Sequence, residues 1–159
     1  MHSDVKLTGL LAEHCRRMNT GDVDAMLEIY SPDVRFEDPV GARPMVGHDE
    51  LRGHFTRAAE SQTYDIPGTP VAAGDGRHAM LPVSVQMNYL PLGPALVAHG
   101  FLDAPRNPRR TLLTLNVVGL IRADDEGLID ACWIYWGRTD VGLLSTEAGM
   151  ALRAARAHA

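Results

Sequence analysis

The chain has 159 residues, of which 45% are hydrophobic and 22% charged, and its 20 acidic and 15 basic side chains leave a net charge of −5. That length suits one domain of ~150 residues, and the mix excludes a generally disordered chain. The acidic balance without a Lys/Arg run argues against a nucleic-acid partner, and no apolar stretch approaches the ~20 residues that span a bilayer.

The first 60 residues read as helical. Leu7, Leu10, Leu11, Cys15 and Met18 recur at helical spacing, and His14 falls on the same stripe. Asn19-Thr20-Gly21 ends that helix, and Asp22 is a natural N-cap for a second one carrying Val23, Met26, Leu27 and Tyr30. Ser31-Pro32-Asp33 breaks it, Val34–Glu37 is a short strand, and Asp38-Pro39-Val40-Gly41 turns the chain. A third helix follows Gly47, with Leu51, Phe55, Ala58 and Ala59 on its apolar side. From Ala79 to Tyr89 the odd positions are apolar and the even ones mostly polar, the period of a half-buried strand. Leu90–Pro94 is a turn, Ala95–Asp103 a strand, and Ala104–Pro108 a loop. Two long strands, Thr111–Arg122 and Leu128–Gly137, join at the hairpin signal Asp124-Asp125-Glu126-Gly127. From Thr146 the chain returns to helix propensity with little apolar periodicity, as in a loosely held tail. Helices followed by a run of strands predict an α+β fold.

The chemistry on offer is narrow. There is no Gly-rich phosphate loop, no paired His at metal spacing, no Cys-x-x-Cys and no serine in a nucleophile elbow. No metal and no cofactor is therefore expected. Cys15 and Cys132 read as buried thiols. Met1–Lys6 lacks the charged-then-apolar order of a secretory signal, so the expected compartment is the cytoplasm. General acid/base work by carboxylates remains. Asp38 is the first candidate, because it closes a short strand and the following Pro39 fixes its direction. In an apolar surround such a group becomes a usable base near neutral pH. A turn aspartate bonded to nearby backbone is the alternative. Asp65 and Asp103 are candidate acid partners, or else solvated loop carboxylates. His14 is either a packed core histidine or a donor to a substrate oxygen. Cys132, Ile134 and Trp136 share one strand face, and Trp133 and Tyr135 share the other.

Several segments, taken together, resemble a known superfamily. They are Asn19–Met26, Tyr30-Ser31-Pro32-Asp33-Val34, Phe36-Glu37-Asp38-Pro39-Val40-Gly41, Gly47–Arg52 and Tyr135-Trp136-Gly137. This set resembles the ketosteroid-isomerase-like, SnoaL-like branch of the NTF2-like superfamily, over most of the chain to about Asp140. The resemblance implies a cone, with a curved antiparallel sheet wrapped around the N-terminal helices, and implies that Asp38 is the catalytic base. Steroid isomerases add a tyrosine and a protonated aspartic acid as oxyanion donors; those positions align with His14 and Gly119, so both donors are changed. Met87–Pro94, Gly100–Pro105 and Tyr135–Asp140 are more similar to the polyether epoxide hydrolase/cyclases of the monensin, lasalocid and salinomycin type, including a pyran-forming relative. In these, an acid pair closes a cyclic ether. The base matches Asp38 and its partner falls near Asp65, while Asp103 replaces a basic residue.

The resulting expectation is a cone over residues 1–140 with a helical tail at 141–159. Its pocket is expected to be lined by the odd residues Leu81, Val83, Val85, Met87 and Tyr89. Leu115, Val117, Gly119 and Ile121, then Cys132, Ile134 and Trp136, complete that wall, with His14 and Tyr30 as substrate contacts. The implied activity is cofactor-independent cyclisation of a polyketide, free or carrier-bound. It would proceed either by epoxide opening or by dehydration and oxygen conjugate addition. A steroid-isomerase-like proton shuttle and a non-catalytic binding or dimerisation module are the alternatives. A homodimer is expected from the resemblance and from the second aromatic strand face.

Overall fold

The computed structural model describes residues 1–157. Helix α1 (Asp4–Thr20) starts where the Ser3 side chain accepts the Lys6 N–H and ends at Gly21, whose φ of 69° lies in the left-handed region that favours glycine. Its stripe of Leu7, Leu11, Cys15 and Met18 is buried. Helix α2 (Val23–Leu27) is capped by Asp22, which accepts the Ala25 N–H.

Strand β1 (Tyr30–Glu37) is longer than the expected Val34–Glu37. Ser31-Pro32-Asp33 does not interrupt it, because the pairing with β7 (Ile129–Tyr135) shifts register between Tyr30 and Arg35. A proline without an N–H is tolerated at such an irregularity. Strand β2 (Met45–Val46) pairs with β1 and leads into α3 (Gly47–Glu60), which buries Leu51 and Phe55. Strands β3 (Tyr64–Pro67) and β4 (Val71–Ala72) both pair with β5 (His78–Asn88), and β5 pairs along its length with β6 (Thr111–Ala123). The sheet order is β2-β1-β7-β6-β5-β3. All pairs are antiparallel except β1 with β7, which run parallel. The open sheet with its N-terminal helices is the α+β architecture expected from the sequence.

Two expected elements differ. Ala95–Asp103 is not a strand: Gly93–Ala98 forms helix α4, with Pro94 in its first turn, and Gly100 at φ 70° follows it. Pro suits a helix start, and the Phe101 N–H bonds back to the Leu96 carbonyl at 2.9 Å, so this apolar segment satisfies its backbone locally. The sheet also extends past Asp140. Strand β8 (Val141–Ser145) pairs with β6, placing Leu143 opposite Leu113. The sheet-forming unit therefore reaches Ser145 rather than 140.

Helix α5 (Thr146–Ala157) is not a loose tail over the described residues; the last two residues of the expected 141–159 tail lie outside them. Arg153 Nε donates to the buried Gln86 Oε1 at 2.7 Å, and its guanidinium lies 4.4 Å over the Tyr64 ring. Gly149 is the contact point: a Cβ there would meet Leu112 Cδ1 at 2.3 Å and Gln86 Oε1 at 3.3 Å. Gly149→Val is therefore expected to lower unfolding free energy by about 1–3 kcal/mol through overpacking, read by urea denaturation. An unchanged midpoint would mean that α5 does not press on the sheet.

Candidate active site

The apolar face of the sheet and the helices enclose a pocket with a cavity of about 100 Å³. Strand alternation builds one wall. Leu81, Val83, Val85 and Met87 of β5 share a face, as do Leu115, Val117, Gly119 and Ile121 of β6. The antiparallel register sets Leu81 opposite Gly119 and Val83 opposite Val117, so the two sets form one surface. Cys132, Ile134 and Trp136 continue it, as expected. Opposite lie Leu11, His14 and Met18 of α1 and His54 and Phe55 of α3. Phe36 and Phe55 meet edge to face at 5.9 Å and, with Tyr30 5.5 Å from Phe55, form an aromatic floor.

Asp38 stands just past β1. The Val40 N–H bonds the Ile134 carbonyl at 2.9 Å, which ties the turn to the strand bearing the pocket wall. Trp136 Nε1 donates to Asp38 Oδ1 at 2.6 Å. This short bond fixes the carboxyl group at the pocket wall. The other oxygen, Oδ2, lies 3.4 Å from His54 Nε2.

Asp65 comes from the far side. Its β3 register sets it opposite Val85, hence on the pocket face. Asn19, at the end of α1, clasps its backbone by accepting the Asp65 N–H at 2.6 Å and donating to its carbonyl at 2.9 Å. The side chain is buried, with the Cys15 thiol as a hydrogen-bond donor and His14 Nε2 at 3.7 Å from Oδ2. Burial raises the Asp65 carboxyl to about 7, against the weaker lowering by Cys15. Burial holds the His14 imidazole down to about 4, helped by the nearby His54. The Cys15 and Cys132 thiols are pushed up by burial and stay protonated. Both cysteines are free and buried, as the sequence suggested.

Two expected site residues are not in the pocket. Asp103 is exposed on the loop after α4 and does not line the cavity. Its expected strand does not exist, so nothing turns it inward. Tyr89 is buried outside the pocket, because β5 ends at Asn88 and the alternation ends with it. Its ring instead fills the space where a Cβ on Gly93 would sit, 2.2 Å from the nearest ring atom. His14, Tyr30, Val83, Val85, Met87, Val117, Gly119, Cys132, Ile134 and Trp136 all line the cavity with Asp38 and Asp65. Gly119 contributes space; a Cβ there would make an ordinary 3.5 Å contact with Ile134.

Sequence reasoning missed His54. It lies three residues after Leu51 and four before Ala58, on the apolar stripe of α3, so helical periodicity alone could have found it. It missed the Asn19 clasp too, since nothing local links positions 19 and 65.

The Asp65 environment has a consequence for stability. Unfolded, its carboxyl titrates at the ordinary 3.8; folded, at about 7. Between those values the folded state holds the extra proton, so stability falls as pH rises. His14 acts oppositely between about 4 and 6.5, where the unfolded state binds the extra proton. Asp65→Asn removes the first slope only. Relative to the parent, its stability is expected to gain about 2–4 kcal/mol between pH ~4 and ~7, read from urea melts. A pH-independent difference would show that folding does not perturb Asp65.

The SnoaL-like domain family matches residues 11–131. The epoxide hydrolase LasB of Streptomyces lasalocidi is 48% identical over 141 residues, which cover 87% of this chain and 50% of LasB. The chain thus spans about half the length of that curated relative. Among solved structures, the epoxide hydrolase/cyclase-like enzyme SalBIII, described for its role in pyran ring formation in the polyether salinomycin, aligns with a TM-score of 0.73 and 28% identity. That alignment covers 87% of this chain and 96% of SalBIII.

Proposed function

The chain belongs to the SnoaL-like domain family, and from that membership and its paired acids we propose that it is a cyclase closing a cyclic ether on a polyketide by epoxide opening. One observation carries the reading: two carboxyl groups in one apolar pocket are held in different settings. Asp38 is an anchored acceptor beside Trp136, whereas Asp65 is buried and keeps its proton close to neutral pH. Two titratable groups set apart by environment divide into base and acid. The likeness to LasB favours an epoxide as the group opened.

The step balances without any cofactor. Asp38 takes the proton of a substrate hydroxyl. That oxygen bonds to an epoxide carbon, the C–O bond of the epoxide breaks, and Asp65 gives its proton to the released oxygen. The product has the mass of the substrate. Asp38 ends protonated and Asp65 ionised, and one proton exchanged with solvent resets the pair. The apolar walls fold the chain so that the internal hydroxyl, not water, lies near the attacked carbon. The substrate in this reading is a polyketide, free or carrier-bound, and the working form a cytoplasmic homodimer. Among the described residues no helix is long and apolar enough to cross a membrane.

The likeness to SalBIII favours a second reading, in which the same pair removes water from a β-hydroxy-carbonyl unit and an internal hydroxyl adds to the alkene to form a pyran.

The test supplies the purified protein with a hydroxy-epoxide chain and, separately, a hydroxylated β-hydroxy-thioester. An equal-mass cyclic ether from the first supports epoxide opening; loss of one water with ring closure from the second supports the alternative. Asp38→Asn and Asp65→Asn are each expected to lower the productive rate by about 10²–10⁴-fold. Unchanged rates in Asp38→Asn would sink the assignment of the base, and no turnover of either substrate would return the binding-module reading.

A further inference from the structure

Tyr30 is buried, with its ring packed among Phe36, Phe55 and His14. Its hydroxyl lies 2.6 Å from His14 Nδ1. One partner must donate and the other accept. If the ring carried its proton on Nδ1, the buried phenol would accept and its own O–H would go unpaired, at a cost of about 1–3 kcal/mol. Donation from Tyr30 to Nδ1 satisfies both groups. The imidazole proton then sits on Nε2, on the side that faces Asp65.

We propose that Tyr30 is a positioning residue that fixes His14 as the Nε2–H tautomer, making His14 a second donor beside Asp65 for the oxygen that leaves the substrate carbon. This deepens the cyclase reading and rests on it for the identity of that oxygen.

The geometry supports the assignment. His14 Nε2 and Asp65 Oδ2 are 3.7 Å apart, too far to satisfy one another by a hydrogen bond. Both line the same cavity, so an oxygen entering there can meet the imidazole N–H and the carboxylic O–H together. Burial disfavours a charged ring, so His14 donates as a neutral imidazole and carries no net proton through the reaction. Tyr30 does not relay a proton either, because burial raises its phenol far above the working range. The pair therefore orients and stabilises, while Asp38 and Asp65 move the protons. Two pre-set donors on a developing alkoxide are the kind of arrangement whose loss slows a reaction strongly.

The test has a substrate-free arm and a kinetic arm. Long-range ¹H–¹⁵N NMR at neutral pH is expected to show the neutral His14 ring protonated on Nε2, and Tyr30→Phe is expected to give a mixture of tautomers. A parent ring protonated on Nδ1 would overturn the proposal, since Asp65 would then donate to Nε2 instead. In turnover, His14→Gln places an amide N–H near the Nε2 position and His14→Asn near Nδ1. Gln is expected to retain at least about tenfold more kcat than Asn, and Tyr30→Phe to lose about tenfold or more in kcat with little change in KM. Equal losses for Gln and Asn would also overturn it, and that comparison stands even if Tyr30→Phe does not fold. If the parent turns over neither substrate, the cyclase reading fails while the NMR arm still decides the tautomer.

Discussion

Burial organises this pocket. An aspartic acid seated in a polar cleft would be an ordinary carboxylate. Asp65, closed in behind α1 with a thiol and a neutral imidazole for neighbours, keeps its proton to about 7. That burial gives Asp65 a different setting from Asp38, a chemically identical side chain. The rest of the structure serves to maintain it. The aromatic floor of Tyr30, Phe36 and Phe55 lines one side, the alternating faces of β5 and β6 line the other, and Asn19 clasps the Asp65 backbone.

Asp38 is held differently, by an attachment rather than by enclosure. It stands where β1 ends, and the chain beyond it is tied to β7, the strand that leads to Trp136. Asp38 and its indole donor are therefore held by linked stretches of backbone. His54 Nε2 lies 3.4 Å from an Asp38 oxygen and His14 Nε2 lies 3.7 Å from an Asp65 oxygen, and all four side chains line the cavity. In the proposed cyclisation, such an apolar site suits a substrate that brings its own hydroxyl. A nucleophile tethered to the reacting carbon needs only folding, and folding is what shaped apolar walls supply.

Much of the fold was legible. The helical stripe of α1, the Asp22 cap, the Gly47 start of α3 and the alternation of β5, β6 and β7 are local patterns, and the structure keeps all of them. The α4 segment was misread because a short apolar run has no period of its own; Pro94 and Gly100 decided it in favour of a helical turn. Strand β8 was missed because Val141–Ser145 shows no marked alternation, and its pairing partner lies about thirty residues upstream in β6. The long-range element was invisible for the same reason that the Asn19 clasp was.

The sequence by itself determined the α+β class and the singular position of Asp38 before Pro39, and it narrowed the proposed acid partner to a short list of aspartates. Its family resemblance pointed at Asp65 as well. Only the tertiary structure put Asp65 in the pocket and left Asp103 outside it, brought His54 and Trp136 to the two oxygens of Asp38, and set Tyr30 against His14. The physical reason is that periodicity reports which face of an element a side chain occupies. Proton affinity depends instead on what other elements place against that side chain, and sheet register and helix docking settle that across separations of tens of residues.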